Sequence, residues 1–359
     1  AEAIDQFCRE TEVLDASGER HKAVLTGDDM SRWRASYDAP ATYDFGNYTM
    51  MKPGVWSQGP AHLQVLALLK GFDLASMDPT GTEFVHTVTE AIKLAFADRD
   101  AFYGDPDFVE VPIDLLLSDA YNDERRKIIG DAASNELRHG KIDNYGCMVD
   151  YAAAVGRAMG VGVPLSGKAA AGAGEPTVGA LGQTAGDTCH IDVVDKEGNM
   201  VACMPSGGWL QSSPTIPALG FQLNSRAQMF WLDEGQPMSL EPGKRPRTTL
   251  SPSMALRDGK PYVAFGTPGG DQQDQWQSIF FLRHAVYGRN LQEAIDTPSF
   301  HSEHFVSSFY PRGAQPQRLV VEGRTPPETV QGLRERGHKV EVGELWSEGR
   351  LCAVSQDNA

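Results

Sequence analysis

The chain has 359 residues, 41% hydrophobic and 22% charged, a balance that suits a soluble globular protein of one large domain or two ordinary ones. Its 48 acidic and 32 basic residues give a formal charge of −16. That sign argues against nucleic acid or an anionic membrane as a partner, because both would repel it.

The first residues carry Glu2, Asp5 and Arg9 and no apolar core, so no signal peptide is expected at the start of the chain. The compartment stays open, with the cytoplasm favoured over the periplasm or export. No run of about 18 apolar residues suggests a transmembrane helix. Cys8, Cys147, Cys189, Cys203 and Cys352 are scattered, with no CxxC pair. They read as buried free thiols rather than a disulfide framework or a zinc site.

To about residue 130 the pattern is mostly helical. Residues 61–70 form an apolar helix with Gly71 as its stop. Over 83–103, Phe84, Val88, Ala91, Ile92, Ala95 and Phe102 recur near the helical period, and Gly104-Asp105-Pro106 ends the helix. A short charged helix follows at 119–129. After Met159 the composition changes: residues 161–187 hold seven Gly and six Ala, with Pro164 and Pro176. Such a segment buries too little to offset its ordering entropy. The chain therefore divides into a mostly helical region (1–159), a linker (160–187) and a strand-rich region (188–359).

Residues 188–195 read as a buried strand and 200–204 as its hairpin partner, with Gly198 in the loop. A second hairpin, 251–258 with 261–267, turns at Asp258-Gly259. Helices are expected at 273–287, 291–296 and 327–336, and a strand at 339–342. Sheets covered by helices are the expected architecture.

Thr188 stands where the linker meets a strand. A cut before it would free its α-amine, whose reference pKa of about 7.7–8.0 suits a base for the residue's own hydroxyl. Downstream, Gly266-Thr267-Pro268-Gly269-Gly270-Asp271 lies between an apolar strand and a helix. Such a junction either offers backbone N–H groups to an oxyanion or a phosphate, or is a tight turn that needs glycine. No Lys-Ser/Thr follows, so a P-loop is not indicated.

These blocks resemble the γ-glutamyltranspeptidases. Thr188-Cys189-His190 with 193–199 is similar to the start of that family's small subunit. Pro242-Gly243-Lys244-Arg245-Pro246 with Leu250-Ser251-Pro252, and then Gly266–Gly270, continue the resemblance in order. So do Tyr287-Gly288, Leu291-Gln292-Glu293-Ala294, Pro298 and Phe300-His301. Before the linker, Ala97-Asp98-Arg99 and 104–109 resemble the large subunit.

The resemblance implies an α+β fold of the N-terminal nucleophile hydrolase type, an αββα four-layer sandwich. It implies self-cleavage before Thr188 into a heterodimer of two fragments. It also implies acyl transfer from a γ-glutamyl amide such as glutathione to water or an amino acid, without metal or cofactor. By position, Thr188 is the nucleophile, Ser206 steadies its amine, and Gly269 and Gly270 bind the oxyanion. Thr248 and Thr249 fall where the family has a Ser pair for the substrate carboxylate.

Departures concern the substrate. Gly208 stands where the family usually has Asn, and Met229 where it has an acid that grips the α-amine. Losing that charge partner in a desolvated pocket should cost about 2–5 kcal/mol of affinity. Arg226 would repel an ammonium and attract an acid. A glutaryl or other dicarboxylic acyl group, as in related cephalosporin acylases, is then the alternative donor; a catalytically inactive scaffold is the other. Against the family pattern the chain also reads as a fragment, beginning inside the large subunit and stopping before the usual last strands.

Other features have blander readings. His301-Ser302-Glu303-His304 lacks a third metal ligand pattern. His190 is expected to make a structural hydrogen bond. Trp209, Phe221, Phe230 and Trp231 line a pocket or fill core. Residues 244–247 form a solvated or carboxylate-bridging loop.

Overall fold

The computed structural model describes residues 1–14, 19–146, 149–159, 188–207, 213–309 and 312–356. In chain order, the elements before residue 160 are α1 (Glu2–Glu10), β1 (Val13–Leu14), β2 (Arg20–His21), α2 (Gly27–Arg32), β3 (Ala41–Phe45), β4 (Tyr48–Lys52), α3 (Pro60–Leu69), α4 (Thr82–Phe102), α5 (Ile113–Leu116), α6 (Asp119–Arg126) and α7 (Tyr151–Ala158). From residue 188 they are β5 (Ile191–Val194), β6 (Met200–Cys203), β7 (Thr215–Ile216), β8 (Phe221–Gln222), β9 (Ser253–Arg257), β10 (Lys260–Gly266), α8 (Gln273–Ala285), α9 (Leu291–Asp296), β11 (Phe300–Ser302), β12 (Arg318–Val321), α10 (Pro327–Glu335), β13 (Lys339–Val342) and β14 (Cys352–Ser355).

α3 and α4 are the buried helices. Every residue of α3 is buried, and Pro60 presets its first turn. Its residues are apolar apart from His62 and Gln64, so it sits inside, with Gln64 donating to buried Asp98 at 2.6 Å. α4 lies against it, and Phe84, Val88, Ile92 and Phe96 join Leu63, Leu66, Phe265, Phe280 and Phe281 in one hydrophobic core. α4 ends at Phe102, with Tyr103 as its C-cap just before Gly104. The helices at 61–70, 83–103, 119–129, 273–287, 291–296 and 327–336 thus all form, with ends that shift by at most three residues.

The main sheet is antiparallel, in the order β14-β10-β9-β4-β3. Its β9–β10 hairpin turns at Asp258 and Gly259, both at positive φ (52° and 76°), which matches strand twist. The β3–β4 hairpin, with Gly46 at φ 62°, comes from the region expected to be mostly helical. β4 pairs with β9, Met50 opposite Ala255, so the sheet joins strands from both sides of residues 160–187. A second sheet runs β11-β12-β13; α10 crosses over between the parallel strands β12 and β13. Helices and sheets together make a mixed α and β fold.

A buried ion pair fastens the main sheet to α8. Lys52 and Asp274, both fully buried, lie 2.8 Å apart. Lys52 also donates to Ser253 Oγ at 2.8 Å, and Ser251 Oγ donates to Asp274 at 2.6 Å. Burial pushes the Lys52 amine down and the Asp274 carboxyl up.

Two expectations need correction. β5 starts at Ile191, after three irregular residues, and is not buried: Ile191 and Val193 are each 51% exposed. Among the described residues β5 pairs with β6 alone. Of the cysteines, Cys8 is buried, but Cys189, Cys203 and Cys352 are exposed. Cys147 and the proposed linker lie outside the described residues.

Candidate active site

The β5–β6 hairpin places the first two site residues. Its register sets Ile191 opposite Cys203. Three residues further out, the same register sets Thr188 opposite Ser206, and the Cys189 N–H donates to Pro205 O at 3.2 Å. The two hydroxyls meet at 2.6 Å, and either can donate. Thr188 is buried, at 8% exposure. Among the described residues, no carboxylate or imidazole hydrogen-bonds its hydroxyl.

Gly207 follows with φ 109°. Its carbonyl accepts from Ser225 N at 2.6 Å and Ser225 Oγ at 2.8 Å. That pair brings in the short turn Arg226–Met229. Asn224 Oδ1 caps the turn by accepting from Arg226 N at 2.6 Å. Arg226 is buried; its Nη1 lies 3.4 Å from Thr249 Oγ1 and 3.8 Å from Met229 Sδ. Its guanidinium sits 5.6 Å from the Phe309 ring, against which Met229 also packs. Arg226, Met229 and Thr249 are thus one cluster. Gly208 and Trp209 lie outside the described residues.

Thr248 is held by its backbone: its N–H donates to Trp56 O, and its carbonyl accepts from Gln58 N, each at 2.9 Å. Its hydroxyl accepts from Leu250 N at 3.1 Å.

Gly269 and Gly270 turn between β10 and α8 at φ 132° and 54°, conformations that favour glycine. Gln58 Nε2 donates to Gly270 O at 2.9 Å. With its amide turned to satisfy both ends, Gln273 donates to Thr249 O at 2.9 Å and accepts from Gly270 N at 3.2 Å. This links the glycine turn to the threonine pair. Trp276 closes the turn from below: a side-chain carbon at Gly269 would lie 2.6 Å from its ring. Glu348 fixes that indole, accepting from Nε1 at 3.2 Å, and meets His301 Nδ1 at 2.5 Å.

A charged network behind the turn was not read from the sequence. Arg99 on α4 donates to Gln58 Oε1 (2.9 Å), Asp271 Oδ1 (2.5 Å) and Asp100 Oδ1 (2.8 Å). Asp271 also accepts from Ser308 N and Oγ at 2.8 and 2.6 Å. Burial alone would raise the Asp271 carboxyl; Arg99 and Arg247 outweigh it and hold it below the usual range. The signal available was the block 97–99 and the Asp that follows Gly270, but their pairing spans 172 residues.

The basic run proves to be carboxylate-bridging: Arg245 binds Asp105 and Asp38, and Lys244 binds Glu241. His190 makes the structural bond expected, 2.7 Å to Asp192. A cleft of about 630 Å³, lined by Val155, Arg318 and Lys339 among others, contains none of the site residues. Away from the site, ligand atoms of His86, Glu90 and His338 lie within 4.8 Å of one another. Lys93 and Arg138 already occupy the Glu90 carboxylate, and the two imidazoles bond each other at 2.8 Å. His301 and His304 bond separate partners, Glu348 and the Glu136 carbonyl.

A threonine hydroxyl locked to a second hydroxyl, ahead of a glycine turn on an antiparallel sheet, fits the N-terminal nucleophile hydrolases, and the chain's relatives are hydrolase proenzymes of that class. The chain belongs to the γ-glutamyltranspeptidase family, whose model matches residues 11–359. It is 30% identical over 323 residues to the glutathione hydrolase-like YwrD proenzyme of Bacillus subtilis, covering 89% of this chain and 52% of that protein. The solved structure of LmbA2991T421A superposes with a TM-score of 0.88 at 50% identity, over 99% of this chain and 58% of that one. Cephalosporin acylase from Bacillus halodurans gives 0.75 at 25% identity, over 99% and 54%. The chain thus spans about half the length of the relatives it matches.

Proposed function

We propose that this chain carries the catalytic part of a self-processing amidohydrolase, in which Thr188 is the nucleophile. The observation that supports this most is the 2.6 Å contact between Thr188 and Ser206, set by the hairpin register. Neither hydroxyl is a base, so a proton acceptor has to come from elsewhere; scission before Thr188 supplies one in its own α-amine. The hydroxyl then attacks an amide carbonyl, and the amine passes the proton to the leaving nitrogen. Gly269 donates to the oxyanion, and Gly270 joins it once its N–H leaves Gln273, each donor being worth about 2.7–4 kcal/mol. Water or an amino acid takes the acyl group. No step needs a metal or cofactor.

The family favours a γ-glutamyl amide as donor. Arg226 beside Met229 favours a second donor, a dicarboxylic acyl amide, since that position offers an ammonium no anionic partner. The mature protein is a heterodimer of the two pieces, and its fold is the four-layer αββα sandwich, with β5–β6 starting the sheet opposite the main one.

Denaturing mass spectrometry of the full chain tests the reading. Fragments of 187 and 172 residues are expected, and Thr188→Ala should stay intact. Turnover of γ-glutamyl and glutaryl anilides then separates the two donors. A folded, uncut chain that turns over neither leaves a scaffold protein.

A further inference from the structure

Arg247 has no part in the chemistry above, yet it is among the most deeply buried charges beside the site. It is 4% exposed, and its Nε and Nη1 have no hydrogen-bond partner among the described residues. Its contacts are Ser308 Oγ, 3.0 Å from Nη2, and the Asp100 carboxylate at 3.9 Å. Asp100 is not a dedicated counter-ion: the same oxygen accepts from Arg99 Nε and Nη2 at 3.0 and 2.8 Å. Asp271, the other buried carboxylate, is taken by Arg99 and Ser308. Arg312 is buried as well and spends its Nη2 on the carbonyls of Gln228 and Phe230. Arg99, Arg247 and Arg312 are thus three guanidinium groups that share two carboxylates.

Burial, with Arg99 as the strongest neighbouring cation, lowers the Arg247 pKa to about 9, which still leaves it charged at neutral pH. A buried charge without a matched partner is costly. A fold that keeps an excess of such cations is suited to receive an anion.

Two short links of chain connect Arg247 to Arg226. Ser308 holds Arg247, and the next residue, Phe309, lies under Arg226. Thr249, two residues after Arg247, contacts Arg226 Nη1. Ser308 also hydrogen-bonds Asp271, the neighbour of Gly270.

We propose that Arg247, with Arg226, forms an anion subsite that grips the free carboxylate of the acyl group, so that the donor is the mono-amide of a dicarboxylic acid without a free α-amine. Guanidinium forks suit a carboxylate held by two parallel hydrogen bonds. The word acyl rests on the amidohydrolase reading; the anion site itself does not.

Calorimetric titration of the full-length Thr188→Ala protein with glutarate, glutaramide and L-glutamine tests it without chemistry. Glutarate should bind, and the neutral diamide and zwitterionic glutamine should bind at least tenfold more weakly. Adding Arg247→Leu should weaken glutarate about 30-fold or more. The melting temperature should hold or rise, because an uncompensated buried cation is replaced by an apolar group. Equal binding of glutarate and glutaramide, no glutarate binding, or unchanged affinity in Arg247→Leu overturns the subsite. So does an Arg247→Leu protein that fails to fold, which would make the guanidinium a core element. Glutarate binding without self-cleavage in the parent would instead sink the amidohydrolase reading and leave the subsite standing.

Discussion

The ring of Trp276 occupies the space that a side chain on Gly269 would need, with 2.6 Å between them. Gly269 is also at φ 132°, where any larger residue is strained. Gly269→Ala must therefore shift the turn that carries the two N–H donors. Its kcat on the preferred anilide should fall about 100-fold or more, the scale of one lost oxyanion donor. Trp276→Phe withdraws the ring carbons that abut Gly269 as well as the bond to Glu348, so the turn loosens and kcat should fall by about tenfold.

Ser206→Ala removes the partner of the Thr188 hydroxyl. Both self-cleavage and turnover should slow, by about 10- to 100-fold, the scale of one hydrogen bond of 1.4–2.8 kcal/mol in a reacting site. A time course of fragment appearance by mass spectrometry measures the first. Ser206→Thr should restore most of the rate, since the hydroxyl is retained.

Met229 is buried against Arg226 and Phe309. Met229→Asp would neutralise Arg226 and offer a carboxylate to an ammonium. The ratio of γ-glutamyl to glutaryl anilide turnover should rise at least tenfold. An unchanged ratio would remove Met229 from the acyl pocket.

Stability should fall on both sides of neutrality, for opposite reasons. Burial alone would lower His301, but Glu348 and Glu303 outweigh it and raise its pKa to about 10. The ion pair therefore contributes fully below the unfolded value of about 6.5 and is lost as pH climbs through about 10. His338 and His304 are pushed down to about 3, mainly by burial, so their contribution is present above about 6.5 and disappears as pH falls toward 3. In urea melts from pH 4 to 10, His301→Gln should flatten the alkaline limb, by on the order of 1 kcal/mol per pH unit. It should leave the acid limb in place.

Local signals in the sequence carried much of the fold. The period of Phe84, Val88 and Ile92 locates α4, and Asp258-Gly259 locates the β9–β10 turn. The β3–β4 hairpin was equally legible, since Gly46-Asn47 sits between the β-forming Phe45 and Tyr48, but helical neighbours masked it. Thr188 and Ser206 could be paired because a single hairpin register relates them. Arg99, Arg247, Asp271 and Ser308 could not, because they converge only when α4, the β9 approach and the glycine turn pack together. The exposure of Ile191 and Val193 was also illegible: alternation tells which residues share a face, not whether that face is covered.

In the main sheet, Met50 and Ala255 are partners, although residues 160–187 lie between them in the chain. A nick anywhere in that intervening stretch would divide the polypeptide without dividing the molecule. Neither piece would own a finished sheet, and the buried Lys52–Asp274 pair would keep one charge on each. Maturation would then be irreversible in a practical sense: once parted by denaturant, each product would carry half of an interior and would have to find the other to regain it.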